Sequence, residues 1–176
     1  MPIIALKWVE VGGNGFKWLI CSSIMFRGEY SLTLDPKGRL AVPSRYRERI
    51  FECCNGRLVI TISLTEHCLV VYPFPDWQKI EDELGALPAL DRKAQAISHL
   101  LIGHATECDL DGHGRVLVPQ SLRGFAELDK QVKVVGQVMK FELWNDGAWT
   151  RRRQELLSQV EDFLAEPSDA LRSLVL

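Results

Sequence analysis

One ten-residue segment occurs twice in this chain, with the two copies 76 positions apart. Residues 34–43 read LDPKGRLAVP, and residues 110–119 read LDGHGRVLVP. Six of the ten positions are identical, and the offset then shortens to 72, where Tyr72 aligns with Trp144 and Trp77 aligns with Trp149. We therefore predict a duplicated structural unit of about 50 residues, which restricts the fold to arrangements of two similar halves.

Each copy begins with the pattern of a tight turn that leads into a strand. Asp35, Pro36 and Gly38 occupy positions that these residue types favour in a type I turn, and the aspartate can accept backbone N–H bonds there. Residues 39–42 then alternate, which predicts a half-buried strand with Arg39 and Ala41 on its outer face. The proline that closes each copy cannot donate a sheet hydrogen bond, so we expect the strand to end there.

Further strands and helices are expected in each half. Apolar runs predict strand pairs at residues 58–62 and 69–72, and again at 132–135 and 138–144. Apolar residues at helical spacing predict three helices: one from Trp77 to Pro88, one capped by Asp91, and one from Trp149 to about Pro167. Because one half is too small to bury its own apolar face, we expect the two halves to pair.

Several classes of function are disfavoured by what the sequence lacks. It has no run of about 18 uncharged apolar residues that could cross a membrane, and no nucleophile elbow or phosphate-binding loop. Its five cysteines include no C-x-x-C pair, which favours a reducing cytoplasm over a disulfide framework. His104, Cys108 and His113 lack the spacing of a zinc site. We therefore expect neither an enzyme nor a metal or cofactor site.

Positive charge is concentrated in the first copy. Residues 27–49 contain six basic and three acidic side chains, although the whole chain has a formal charge of −2. The fork of an arginine can bind phosphate oxygens or the edge of a guanine at two points. An outward arginine directly after a turn is therefore a plausible nucleic-acid probe. In the second copy His113 stands in the place of Lys37, so we expect the first copy to carry more of the phosphate contact.

The two repeated aspartate and arginine pairs allow a second interpretation. Asp35 with Arg39, and Asp111 with Arg115, are separated by four positions and could form ion pairs that only brace each turn. Spacing alone does not distinguish bracing from an outward probe.

The sequence resembles the MraZ family of bacterial DNA-binding proteins over essentially all of residues 25–176. The segments that carry the resemblance are MFRGEYSLTLDPKGRLAVPSRYRERI, LVVYPFPDW, LIGHATECDLDGHGRVLVP and VGQVMKFELW. The resemblance implies an α+β fold in which two tandem AbrB-like swapped-hairpin half-units form one small β-barrel, with helices between and after them. It also implies a sequence-specific transcriptional regulator, a repressor of the division and cell-wall gene cluster, that is cytoplasmic, nucleoid-associated and assembled into rings.

The family motif falls on Asp35, Lys37, Arg39, Asp111 and Arg115 of this sequence. From charge alone we add two flanking phosphate contacts, Arg45 and Arg47. The expected partners are double-stranded DNA and further copies of the chain, with no membrane and no small-molecule substrate.

The resemblance also suggests a division of the chain. We expect an extension at 1–24 outside the family pattern, with Met25 as an alternative first residue, then AbrB-like repeats at 29–76 and 105–148. A helical connector would occupy 77–104, and a C-terminal helix and tail would occupy 149–176. The alternative function is a ring-forming scaffold that binds another protein through the helices around Trp77 and Trp149.

Overall fold

Within the residues that the computed structural model describes, 26–168 and 172, the elements follow one another in two similar series. The first series comprises β1 (Glu29–Thr33), β2 (Arg39–Ala41), α1 (Ser44–Cys54), β3 (Arg57–Ile62), β4 (Leu69–Pro73) and α2 (Phe74–Gly85). A connecting helix follows, α3 (Arg92–Gly103). The second series comprises β5 (Thr106–Asp109), β6 (Arg115–Leu117), α4 (Gln120–Phe125), β7 (Gln131–Gln137), β8 (Lys140–Asn145) and α5 (Asp146–Ala165). The extension at 1–24 lies outside the described residues.

The two halves exchange strands. A six-stranded antiparallel sheet has the order β1-β7-β8-β4-β3-β5, so the first strand of each half pairs with a strand of the other half. The remaining strands, β2 and β6, pair with each other as a separate antiparallel ribbon. The fold is therefore α+β with a mainly antiparallel sheet. The halves pair as expected, because the first two strands of each half find their partners in the other half.

The ribbon is anchored by the side chains on its inner face. Leu40 and Val116 lie opposite each other and are almost completely buried, and both belong to the main hydrophobic core. Further into this core the rings of Phe26, Tyr46 and Phe141 pack at tilted or edge-on angles, with centroids 4.8 to 5.5 Å apart. Burying a side chain of this size stabilises the fold by roughly 1.5–3 kcal/mol. On the outer face of the ribbon the side chains are partly or fully exposed.

The predicted strand pairs and the three predicted helices are present. Asp91 caps α3, since its carboxylate accepts hydrogen bonds from the backbone N–H of Lys93 at 2.8 Å and of Ala94 at 3.3 Å. Residues 140–143 of β8 alternate in burial, because Phe141 and Leu143 are buried whereas their polar neighbours Lys140 and Glu142 are partly exposed. None of the helices in the described part of the chain has the length and apolar character needed to span a membrane.

Two helices were missed by the sequence analysis. α1 and α4 begin directly after Pro43 and Pro119, where we expected only the end of a strand. A proline at a helix start is compatible with both roles, because its fixed φ suits the helix and its missing N–H is not needed there. Only Tyr46 and Ile50 of α1 are buried, so its apolar stripe is short and is interrupted by charged residues.

Candidate nucleic-acid interface

The turn between β1 and β2 is organised by one carboxylate. Oδ1 of Asp35 accepts the backbone N–H groups of Lys37 and Arg39, both at 2.9 Å. Oδ2 accepts Nε of Arg39 at 2.7 Å, and Nη2 of the same guanidinium also lies 2.7 Å from it. Asp35 thus fixes both the backbone of the turn and the orientation of the arginine side chain.

The turn between β5 and β6 repeats this geometry. Oδ1 of Asp111 accepts the backbone N–H groups of His113 and Arg115 at 2.9 Å, and Oδ2 accepts Nε of Arg115 at 2.8 Å. Nη2 of Arg115 completes the ion pair, at 2.8 Å from Oδ2. The two halves of the molecule therefore contain the same turn, in which one aspartate binds two backbone N–H groups and one guanidinium.

These contacts lower the pKa of both carboxyl groups below the usual value of 3.8. For Asp35 the largest cause is the backbone hydrogen bond from Arg39, and the Arg39 side chain adds to it. For Asp111 the largest cause is the side-chain hydrogen bond from Arg115, followed by the backbone hydrogen bond of the same residue. Both aspartates are therefore ionised at neutral pH, and both arginines remain paired with them.

The register of the ribbon places the two arginines on one face. Arg39 lies opposite Leu117, and Arg115 lies opposite Ala41, on either side of the buried Leu40 and Val116 pair. Side chains alternate along a strand, so these four flanking residues all point to the outer face. Arg39 and Arg115 are diagonal neighbours there, at a Cα separation of about 7–8 Å.

At this site each arginine is both held in an ion pair with its aspartate and partly exposed on the outer face of the ribbon. The ion pairs use Nε and Nη2 of each guanidinium, so Nη1 is not part of the pair. The side chain of Arg39 is 32% exposed, and that of Arg115 is 30% exposed. Each aspartate thus holds a partly exposed guanidinium in one orientation on the outer face, and less conformational entropy is lost when such a group binds a ligand.

The other residues singled out from the sequence are arranged differently. Lys37, His113 and Arg45 are exposed, two of them in the turns and the third in the first turn of α1. Arg47 is only partly exposed, its Nε donates a hydrogen bond to the Val42 carbonyl, and its side chain packs against the second turn. Charge alone had grouped Arg45 and Arg47, but only Arg45 is freely exposed to solvent.

Sequence reasoning missed two residues at this surface. Leu117 is 54% exposed and lies on the outer face of the ribbon, opposite Arg39 and two positions from Arg115 along β6. Its equivalence to the outward Ala41 at the offset of 76 was the signal that could have identified it. Arg123 has the same environment in α4 that Arg47 has in α1, and the same offset relates these two arginines.

The residues first considered as zinc ligands have other contacts. Nδ1 of His104 hydrogen-bonds the Leu100 carbonyl at 2.8 Å, and the thiol of Cys108 faces the Leu58 carbonyl. Burial raises the pKa of Cys108 to about 12, which opposes formation of a metal-binding thiolate. No group of three or more potential metal ligands is found among the described residues.

Comparison with known proteins places both turns in a known family. A family model described as "MraZ protein, putative antitoxin-like" matches residues 25–99 and 101–172, which include both aspartate and arginine motifs. The chain belongs to the MraZ family. Relatives named "Transcriptional regulator MraZ" match it over most of its length. The protein of Thioalkalivibrio sulfidiphilus is 53% identical over 152 residues, which cover 86% of this chain and all of the relative.

Two further members of the MraZ family show similar agreement and carry the same name. The protein of Methylococcus capsulatus is 51% identical over 136 residues, which cover 77% of this chain and 89% of that relative. The protein of Halorhodospira halophila is 49% identical over 152 residues, covering 86% of this chain and all of the relative. The repeated turns thus lie in a region shared with MraZ proteins that are named as transcriptional regulators.

Proposed function

We propose that this protein is a sequence-specific DNA-binding regulator of transcription and that it reads DNA with the outer face of the β2–β6 ribbon. The observation that carries the proposal is the placement of Arg39 and Arg115, one from each half, on a single exposed face. The major groove of B-DNA admits a two-stranded β-ribbon, and arginine is the side chain that most often reads guanine there. The name of the relatives supports this function.

The residues of the two turns would have different roles. Arg39 and Arg115 contact base edges or phosphates, and the exposed Lys37 and Arg45 bind phosphates. Asp35 and Asp111 carry the wrong charge for a phosphate contact, so we assign to them the positioning of the arginines. Arg47 would act through the second turn, against which its side chain packs.

The family resemblance supports a more specific form of this proposal. The target would be the division and cell-wall gene cluster, repressed by a cytoplasmic, nucleoid-associated ring of chains, and the exchanged strands would form the small AbrB-like barrel. In this proposal the chain is divided as the resemblance suggests: AbrB-like repeats at 29–76 and 105–148, a helical connector at 77–104 and a C-terminal segment at 149–176. A ring that contacts tandem DNA elements gains affinity from effective concentration, without any new contact in a single subunit.

The decisive experiment is unbiased selection of DNA fragments by the wild-type chain, followed by affinity titrations at two salt concentrations. We expect Arg39→Ala and Arg115→Ala each to lower the affinity for the selected fragment by about tenfold or more. The dependence on salt should also become weaker, because fewer counterions are released on binding. Arg92→Ala is the matched control, since Arg92 is exposed on α3.

Equal binding by the wild type and both ribbon variants would contradict the proposal and leave the ion pairs as braces alone. The second candidate function, a ring-forming scaffold that binds another protein, is favoured by exposed apolar side chains on the helical segments. Leu90 in the connector is 94% exposed, and Leu157 on α5 is 63% exposed. A scaffold would assemble normally but would show no salt-dependent affinity for any selected DNA fragment.

A further inference from the structure

Two arginines that belong to neither ion pair make reciprocal contacts between the halves. Nε of Arg47 in α1 donates to the Val42 carbonyl, and Nε of Arg123 in α4 donates to the Val118 carbonyl at 3.1 Å. Each arginine thus donates a hydrogen bond to the carbonyl of a valine five positions before it. That valine comes directly after the ribbon strand of the same half. The equivalence between the two halves extends to the atoms involved.

Each of these side chains also covers the turn of the opposite half. A Cβ atom added to Gly38 would lie 2.9 Å from Cζ and 3.0 Å from Nε of Arg123. A Cβ atom added to Gly114 would collide in the same way with Cδ, Nε and Cζ of Arg47. Both glycines also have positive φ values, +81° and +70°, so glycine is needed there for the turn and for the close approach.

Backbone hydrogen bonds join the same four segments. The N–H of Val42 donates to the Gly114 carbonyl at 3.0 Å, and the N–H of Val118 donates to the Gly38 carbonyl at 2.8 Å. The carbonyl of each valine is the acceptor of the arginine from its own half. Each arginine therefore packs on the glycine of the opposite turn, next to the backbone hydrogen bond that joins that turn to the arginine's own half.

We infer that Arg47 and Arg123 are positioning residues that act across the halves: Arg123 holds the turn that bears Lys37 and Arg39, and Arg47 holds the turn that bears Arg115. This inference rests on the proposed DNA-binding function for its consequence in affinity. Their Nε atoms and side-chain stems are engaged within the protein, which distinguishes them from the exposed Arg45.

During DNA binding, the effect of each positioning arginine should depend on one of the two ribbon arginines and not on the other. Loss of Arg123 should displace the turn of the first half, so a subsequent Arg39→Ala change should cost less than it does in the wild type. Arg115→Ala should cost the same with or without Arg123. The pattern should reverse for Arg47, which should couple to Arg115 and not to Arg39.

The test is a set of double-mutant cycles measured on the fragment that the wild type selects. We expect a coupling of about threefold or more for Arg123→Met with Arg39→Ala and for Arg47→Met with Arg115→Ala, as for residues that share a contact network. The two other combinations should be additive, and so should Arg45→Met with either ribbon variant. Coupling within one half, or additivity in every cycle, would overturn the inference and indicate independent phosphate contacts or general loss of stability.

A second measurement separates this inference from the proposed function. Amide hydrogen exchange of the free protein should become faster at residues 38–39 in the Arg123→Met variant and at residues 114–115 in the Arg47→Met variant. Faster exchange in the turn of the same half, or no change in either turn, would refute the cross-half role even if DNA binds. If the wild type binds no DNA but exchange follows the expected pattern, the positioning role stands and the DNA-binding function is wrong.

Discussion

The two aspartates of the repeated turns place negative charge on a surface that we propose contacts a polyanion. Their hydrogen bonds explain why they are there. Each carboxylate accepts two backbone N–H groups through Oδ1 and holds one guanidinium through Oδ2. The negative charge of each aspartate repels DNA, but the same carboxylate holds the arginine in one orientation. Selectivity and general affinity should therefore respond differently when the carboxylate is neutralised.

Asp35→Asn should separate these two quantities. The amide retains an oxygen that can accept the turn's backbone N–H bonds, but it removes the charge that holds Arg39. We expect tighter and more salt-dependent binding to unrelated DNA, together with a smaller preference for the selected fragment. Competition titrations with both DNAs measure the ratio. An unchanged preference would show that the ion pair does not orient the arginine for reading DNA.

The lowered pKa values predict how the turns respond to acid. A carboxyl whose pKa is depressed in the folded state stabilises that state fully above its unfolded pKa of about 3.8, and the stabilisation is lost as the pH falls through the folded value. We expect carboxyl carbon resonances of Asp35 and Asp111 to titrate below pH 3.8 in the native protein. In urea-unfolded protein they should titrate near it. Native titration at or above 3.8 would mean that the ion pairs do not persist in solution.

Leu117 tests the outer face of the ribbon without removing either arginine. Leu117→Glu places a negative charge beside both Arg39 and Arg115, and since Leu117 is 54% exposed we expect little change in thermal stability. DNA affinity should fall by about tenfold or more, in proportion to the like-charge repulsion. Leu90→Glu makes the same change at a position that is 94% exposed in the connector. Equal effects of the two variants would place the DNA contact elsewhere.

At the scale of the elements, the β2–β6 ribbon has two faces with separate tasks. Leu40 and Val116 belong to the core, whereas Arg39 and Arg115 lie outside it and only one position away along each strand. Substitutions on the inner face should therefore change the free energy of unfolding, whereas substitutions on the outer face should change the affinity for DNA. This follows from the two-residue period of a β-strand.

Leu40→Ala should lower the free energy of unfolding by about 2–5 kcal/mol, because it leaves a cavity beneath the ribbon. The adjacent Arg39→Ala should lower it by no more than about 1 kcal/mol, as expected for a partly exposed ion pair. Urea unfolding of both variants provides the comparison. The assignment of the two faces would be wrong if Arg39→Ala proved the more destabilising of the pair.

On the scale of the whole molecule, the helices outside the core present apolar side chains to solvent. α5 is tied to the loop before β4 by Arg152, whose Nε and Nη2 lie 2.9 and 2.6 Å from Oε1 of Glu66. Further along the same helix, Leu157 is 63% exposed and Leu164 is 57% exposed. Exposed apolar residues on one helix are typical of a surface that packs against another subunit.

If the proposed ring forms through α5, Leu157→Lys combined with Leu164→Lys should lower the mass of that proposed assembly in solution, since both side chains would have to bury a charge at the contact. Light scattering after size-exclusion chromatography measures that mass. Asp162→Lys is the matched control, because it adds positive charge at an exposed position on the opposite face of α5. If the double variant kept the wild-type mass, α5 would not form the contact between copies.

The repeated turns, most of the strands and helices, the duplication and the family could all be inferred from the order of the residues. The turn that Asp35 organises, the cap by Asp91 and the alternation in β8 depend on neighbouring residues, whose physical preferences are visible in a short window. The helix α1 was missed for the opposite reason, since its two buried residues, Tyr46 and Ile50, gain their stability from distant parts of the core.

How the two halves are joined follows from contacts that appear once the chain is folded. The exchange of β1 and β5, the shared face of Arg39 and Arg115, and the contact of Arg123 with Gly38 connect residues that are far apart in the chain. The offset of 76 showed that the halves are equivalent but not which strands pair, because strand register depends on burial and on the path of the intervening chain. From its charge alone Arg47 was expected to contact phosphate. The orientation of its side chain toward the opposite turn depends on the packing of the two halves, which the sequence does not reveal.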